Sequence, residues 1–555
     1  MKLKLKKNIS LSLVLFLGCL ATFALLLYKD PFSQRTLIPN FEPFPDALYY
    51  IGGAKGLIEG YGLNLVREGR ALNFPVPPLY SLTLVPIMFI FKDPRSFYYT
   101  NILFSLVSAV LFYKITSKLI QNIWIVYLVF FLYITNYFFY WYPTVAMAEN
   151  LILPLFLLGV YLLINRVTFL NIVAASFLVT GFYATKYASI PLSLSFALLY
   201  AIKLMFWDCI KTKKVYVTAV FLGLLSLVYI IFAFYESSRG NSNIVASIFN
   251  TLSAFFKDLF PKTSSSAASA SVTESSGIFS YTYFKTHLPM YWNWLNGGSI
   301  HFLWDTTPIL PKFIGSMGLI GLSLGLFVKH FKFVSFSLLL MLFSSVFFIA
   351  TFYTVDARYV YHAIPALLVG FAFFLNFLFK ILSKKNLKKI FYVLLVLFFA
   401  QYMFTNSIRI KKQIMLNLKY AETPWYYVSI LETNNYFSTD KIQNGKKPVL
   451  VSAMPPYLFD YFSNQNYTLL PLSKDQEFWK RWEIVWGPND YSDLIILYSK
   501  YLSDGFSVYL SNSGLGNEGY LHADYRRIKE GFELVKVANG CFDTCNIYKI
   551  ELKDE

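Results

Sequence analysis

The chain has 555 residues, of which 56% are hydrophobic, 19% aromatic and only 14% charged. A soluble domain carries about 25% charged residues, so this composition excludes a set of water-covered cores and points to lipid as the main solvent. The formal net charge of +18 does not indicate nucleic acid, because the basic residues fall at the ends of apolar runs.

The N-terminus reads MKLKLKKNISLSLVLFLGCLATFALLLY. A basic start precedes an apolar run without a small-residue cleavage site, which predicts an uncleaved first helix. Apolar runs of spanning length then predict helices near 9–28, 98–117, 122–140, 146–164, 168–185, 187–206, 215–233, 311–328, 333–351, 361–380 and 388–405. The shorter LYSLTLVPIMFIF at 79–91 contains Pro86 and reads as a re-entrant segment or a twelfth span.

Cytoplasmic turns of membrane proteins are rich in Lys and Arg. With the N-terminus cytoplasmic, the inside turns hold Lys114 and Lys118, Arg166, Lys203 with Lys211, Lys213 and Lys214, Lys329 and Lys332, then Lys384, Lys385, Lys388 and Lys389. The outside turns hold Asp30, Glu42, Asp46, Glu59, Glu149, Glu236, Asp258, Glu274, Asp305 and Asp356. The expected fold is a polytopic α-helical membrane protein of about eleven spans. A membrane module covers 1–406, with external loops at 29–97 and 234–310, and a small extracytoplasmic α/β domain covers 407–555. The centre of the second loop, PKTSSSAASASVTESSG, is low in complexity, and its second half is dense in aromatics.

In the last 150 residues, KPVLVSAMP and SDLIILYSKYL read as buried strands, and FELVKVANGCFDTCNIYKIEL as two strands around a turn. Cys541 and Cys545 lie in that turn and are candidates for a disulfide outside the cytoplasm. Two free thiols is the alternative.

Four clusters carry possible chemistry. In FPDALYYIGGAKGLIEG, a helix from Asp46 places Asp46, Tyr49 and Tyr50 on roughly one side. Asp46 after Pro45 also suits a plain helix start. The prolines of NFPVPPLYSLTLVP fix an extended turn. In YPTVAMAENLILP, Glu149 sits at the external end of a span, where a charge needs a cavity or a partner. In DARYVYHAIP, Asp356, Arg358, Tyr359 and His362 cluster at another external end, and an Arg there suits paired hydrogen bonds to phosphate or an ion pair with a carboxylate. All four fall on one membrane face.

In that order, these motifs resemble the integral-membrane GT-C glycosyltransferases of the protein O-mannosyltransferase and aminoarabinose-transferase type, over about residues 9–405. The resemblance implies a hexosyl- or pentosyltransferase that moves sugar from a polyprenyl- or dolichyl-phosphate carrier to a lipid, protein or polysaccharide hydroxyl on the external face, with inversion. It implies Asp46 as general base, Glu149 as a second catalytic carboxylate that orients sugar or acceptor, and Arg358 on the donor phosphate. Tyr49, Tyr50, His287, Trp292, Trp294, Tyr359 and His362 would line the sugar or lipid path. The family's adjacent acidic pair is missing, since Ala47 follows Asp46. So is the lysine before the proline-leucine segment, where Val76 stands; Lys55, Arg67 or Arg70 is the expected replacement. No residue pattern demands a cofactor, and members of the family differ in their use of a divalent metal. Two other classes fit a charged, one-sided membrane protein: a flippase for lipid-linked saccharide, and a scaffold whose external domain binds a partner.

Overall fold

The computed structural model describes residues 17–21, 46–67, 70–72, 76–92, 96–136, 138–139, 142–207, 214–238, 279–302, 305–308, 310–384, 386–419, 425–438, 445–454, 458–459, 466–472, 494–513, 515, 519–539 and 546–553. In chain order, α1 (Asp46–Ile58) leads to the hairpin β1 (Leu65–Arg67) and β2 (Arg70–Leu72), then α2 (Pro78–Phe91), α3 (Phe97–Leu119), α4 (Ile123–Ile134), α5 (Glu149–Ile164), α6 (Phe169–Thr185), α7 (Ile190–Ile202) and α8 (Lys214–Ser238). Next come α9 (Tyr281–Leu295), the hairpin β3 (Ser299–Phe302) and β4 (Asp305–Pro308), α10 (Ile314–Gly325), α11 (Lys332–Ala350), α12 (Ala363–Lys384) and α13 (Lys388–Lys419). The chain ends with α14 (Trp425–Tyr436), β5 (Val449–Ser452), β6 (Thr468–Pro471), α15 (Leu494–Ser503), β7 (Val508–Ser511), α16 (Gly519–Gly531), β8 (Phe532–Asn539) and β9 (Asn546–Leu552).

Contacts divide the chain into two compact units. The first comprises Met1–Asp30, Val76–Thr83 and Ser96–Leu416. Among the described residues, five of its helices are long and apolar enough to cross a membrane: Phe97–Leu119, Tyr187–Phe206, Lys332–Ala350, Ala363–Lys384 and Lys388–Ile408. Shorter apolar helices, among them Glu149–Ile164 and Phe169–Thr185, fall at other expected spans. The expected span 122–140 is helical only to Ile134, and the expected first span lies outside the described residues except for 17–21.

Without a strong hydrophobic drive between helices in lipid, close backbone packing takes its place. α10 and α12 cross through Gly318, Gly321 and Gly370. A Cβ built on Gly321 would stand 1.9 Å from the Gly370 carbonyl oxygen, so only glycine permits this approach.

The second unit comprises Pro31–Pro75, Leu84–Arg95 and Asn417–Glu555. The glycines of IGGAKG have a packing reason here: a Cβ on Gly56 of α1 would meet the Asn64 carbonyl oxygen at 2.0 Å, just before β1. A five-stranded sheet runs β6-β5-β7-β9-β8. β5 pairs parallel with β6 and β7; β9 is antiparallel to β7 and β8. Val449 and Val451, Val508 and Leu510, Leu470 and Ile550 bury a core against Tyr498 of α15 and Ile528 of α16. Central β5 and β7 are buried throughout, as near-continuous apolar strands of a parallel sheet are.

One expected strand is corrected. LIILYSKYLS is helix α15, because its apolar residues recur at Ile495, Tyr498 and Leu502 with helical spacing, and Ile496 between them is 65% exposed. Cys541 and Cys545 lie outside the described residues.

Candidate active site

The site in the first unit is set by a loop held from behind. Residues 142–148 form the last part of the connection from α4 to α5 and begin with a short 3-10 turn, Tyr142–Thr144. Two buried asparagines hold this loop. Asn101 of α3 donates to the carbonyls of Pro143 (3.1 Å) and Val145 (2.9 Å). Asn150 of α5 donates to those of Tyr142 (3.0 Å), Val145 (2.9 Å) and Met147 (3.1 Å). Tyr80, from the PPLY motif, donates its hydroxyl to Asn101 Oδ1 at 2.8 Å and so orients the first asparagine. Tyr142 stacks on Tyr361 with ring centroids 4.3 Å apart. Buried backbone carbonyls need partners, and amide side chains supply them where the turn makes no regular ladder.

Glu149 then opens α5, where the helix dipole favours a negative charge. Its Oε1 accepts from Lys186 Nζ in a mostly buried ion pair. Lys186 ends α6 in an extended conformation, and its backbone N–H donates to the Phe182 carbonyl. The antiparallel packing of α5 on α6 brings the start of one helix to the end of the other.

The DAR motif supplies the other pair. Asp356 caps a 3-10 turn, Ala357–Val360: its Oδ1 accepts from the Arg358 backbone N–H at 2.9 Å, and its Oδ2 lies 2.9 Å from Arg358 Nε. Burial raises the Asp356 carboxyl above its ordinary pKa, against the opposing pull of the Arg358 guanidinium. Arg358 Nη2 donates to the Tyr359 hydroxyl at 3.2 Å, and Nη1 lies 3.6 Å from Met147 Sδ. Lys186 Nζ sits 4.5 Å from the centre of the Tyr359 ring, a cation–π contact. Two carboxylates, two cations and a phenol thus meet around Tyr359. Such a set can bind an anion through Lys186 and Arg358 and accept hydrogen bonds from hydroxyls through Glu149.

Lys186 is the residue that the sequence reading missed. The available signal was topological: it is a cation in a turn assigned to the outside, where the charge rule expects none.

The remaining predicted residues divide. His287 and Tyr291 lie on the buried face of α9; His287 stacks on Tyr283 at 5.5 Å, and burial lowers its pKa. Trp294 packs edge-on against Tyr291, and Trp292 is exposed. His362 is buried and bonds through Nε2 to Ser345 Oγ at 2.6 Å, so it ties α12 to α11. Asp46, Tyr49 and Lys55 are half-buried positions of α1 in the second unit, and Tyr50 is buried. Lys55 also lies 3.9 Å from Glu59, one turn along the chain. Arg67 and Arg70 are paired in the β1–β2 hairpin, and their side chains lie outside the described set. Among the described residues no three His, Cys, Asp or Glu side chains converge as a metal site.

No family model matches the sequence, and no curated protein matches it. Among solved structures, the crystal structure of ArnT from Cupriavidus metallidurans in the apo state superposes with a TM-score of 0.57 at 10% identity, over 98% of this chain and 98% of that one. The crystal structure of the same protein bound to undecaprenyl phosphate gives 0.54 at 10% identity, over 96% and 97%. The chain therefore shares, over nearly its whole length, the fold of these ArnT structures.

Proposed function

We propose that this protein transfers a sugar from a polyprenyl-phosphate carrier to a hydroxyl acceptor at the extracytoplasmic face of the membrane, with inversion. The observation that carries the reading is the pair of mostly buried cations, Lys186 and Arg358, gathered around Tyr359 in a membrane unit. Its fold is shared with a protein crystallised with undecaprenyl phosphate. Buried cations in a lipid-facing protein mark a path for charged substrate.

In this reading Lys186 and Arg358 take the donor phosphate. The acceptor oxygen attacks the anomeric carbon as the bond to the phosphate oxygen breaks. The motif resemblance assigns Asp46, in the second unit, as the base that accepts the acceptor's proton. The leaving lipid phosphate keeps the bond's electron pair and needs no general acid, and its growing charge is met by the two cations. Glu149 orients the sugar hydroxyls.

The test is release or transfer of radiolabelled sugar from polyprenyl-phosphate mannose, glucose, arabinose, galactose and N-acetylglucosamine by purified protein in lipid. Wild type is expected to turn over one donor, and Asp46→Asn to lose at least about a hundredfold in rate while folding normally. Equal rates for the two would remove Asp46 as base. Binding of every donor without turnover by wild type would favour the flippase reading.

A further inference from the structure

Each cation of the site is already matched. Lys186 meets Glu149, Arg358 meets Asp356, and the four charges sum to zero. A phosphate entering such a cluster adds an uncompensated negative charge where water screens little. One carboxylate must release its cation. The two pairs differ in how firmly they are held. Asp356 is held through both oxygens, one on the Arg358 backbone N–H and one on its guanidinium. Glu149 pairs with its cation through Oε1, and its buried Oε2 has no hydrogen-bond partner among the described residues. Lysine is a point charge on a flexible stem, whereas the arginine fork fits one planar geometry. The yielding pair is therefore Glu149–Lys186.

From this difference we propose that Glu149 and the donor phosphate compete for Lys186, so that donor binding itself uncages Glu149. The inference rests on the transferase reading above. In the empty site Lys186 neutralises Glu149. When a polyprenyl phosphate arrives, the Lys186 ammonium moves to the phosphate oxygens. Both oxygens of Glu149 then become acceptors for the hydroxyls of the attached sugar. Coupling the two events ties recognition of the phosphate to recognition of the sugar, and a phosphate without sugar leaves Glu149 unsatisfied.

Competition inverts the sign usually expected when a buried active-site carboxylate is neutralised. The experiment measures the affinity of a polyprenyl monophosphate, without sugar, for the full-length protein in nanodiscs. Glu149→Gln is expected to bind it about three- to tenfold more tightly than wild type, because Lys186 is already free. Glu149→Asp, which withdraws the carboxylate by one methylene, should tighten binding in the same direction and guards against a folding defect particular to glutamine. Lys186→Met is expected to bind at least about tenfold more weakly, and in that background Glu149→Gln should no longer tighten binding. If the Glu149 variants bind as wild type does, or more weakly, the competition is overturned and the transferase reading stands. If wild type and variants all fail to bind the lipid phosphate, the transferase reading falls, and this inference with it.

Discussion

At the scale of the residue, the site depends on amides as much as on charges. Asn101 and Asn150 look unremarkable in the sequence, two polar residues within or at the edge of apolar helices. Their role became visible only when five carbonyl contacts converged on them. Replacing Asn101 by Leu leaves the Pro143 carbonyl without this partner and removes one of two from Val145. A loss of about 1–3 kcal/mol in stability is expected. Because the loop delivers Glu149, turnover should fall as well. Thermal unfolding in detergent, read beside a donor assay, checks both; unchanged unfolding would show that the loop holds without this clamp.

His287 gives a second prediction at this scale. Burial lowers its pKa, so the folded protein resists protonating it more than the unfolded chain does. Stability is then fully present above the ordinary histidine value and is lost as pH falls below it toward the lowered one. Acid should lower the unfolding temperature, and His287→Gln should flatten part of that slope. A parallel slope in the variant would assign the acid sensitivity to other groups.

At the scale of the element, apolar runs marked several of the membrane-length helices that the structure describes. The same signals did not show which helices touch. The crossing of α10 and α12 depends on Gly318, Gly321 and Gly370, and glycines in apolar runs read equally as packing sites or as harmless substitutions. The structure separates the cases. Gly321→Leu should cost at least about 1–3 kcal/mol by forcing the helices apart. On α8, a Cβ at exposed Gly223 meets nothing within 4 Å, and Gly223→Ala should be neutral or slightly stabilising. Yields of folded, monodisperse protein for the two variants provide the comparison. Similar losses in both would mean that the tight crossing is not limiting. The mistaken strand at α15 has a related origin: a short apolar segment rich in Ile and Tyr fits either period until a buried sheet face or a helical stripe decides it.

At the scale of the whole molecule, the charge pattern makes an orientation testable. With the N-terminus inside, a single cysteine placed in a Cys-free background at Lys553, after β9, should be labelled by an impermeant thiol reagent in intact cells, and one at Asn386, between α12 and α13, only after the cells are opened. Labelling from the same side would overturn the assigned topology. The order of the four motif clusters along the chain was legible, and the overall fold agrees with what it implied. The meeting of Glu149 with Lys186 was not, because two residues 37 apart carry no joint mark in a linear pattern. Their partnership is written in antiparallel helix packing, which only the folded chain displays.

The placement of that pair also bears on biogenesis. Glu149 begins α5 and Lys186 follows the end of α6, with only Asn165 to Thr168 between the helices. A nascent α5 released alone into lipid would carry an unmatched carboxylate until the ribosome had added the 37 residues that reach its cation. The two helices are thus suited to leave the insertion channel together, as a hairpin closed at its open end by one ion pair. The contact proposed to yield to the substrate would first have served to deliver the protein intact into the membrane.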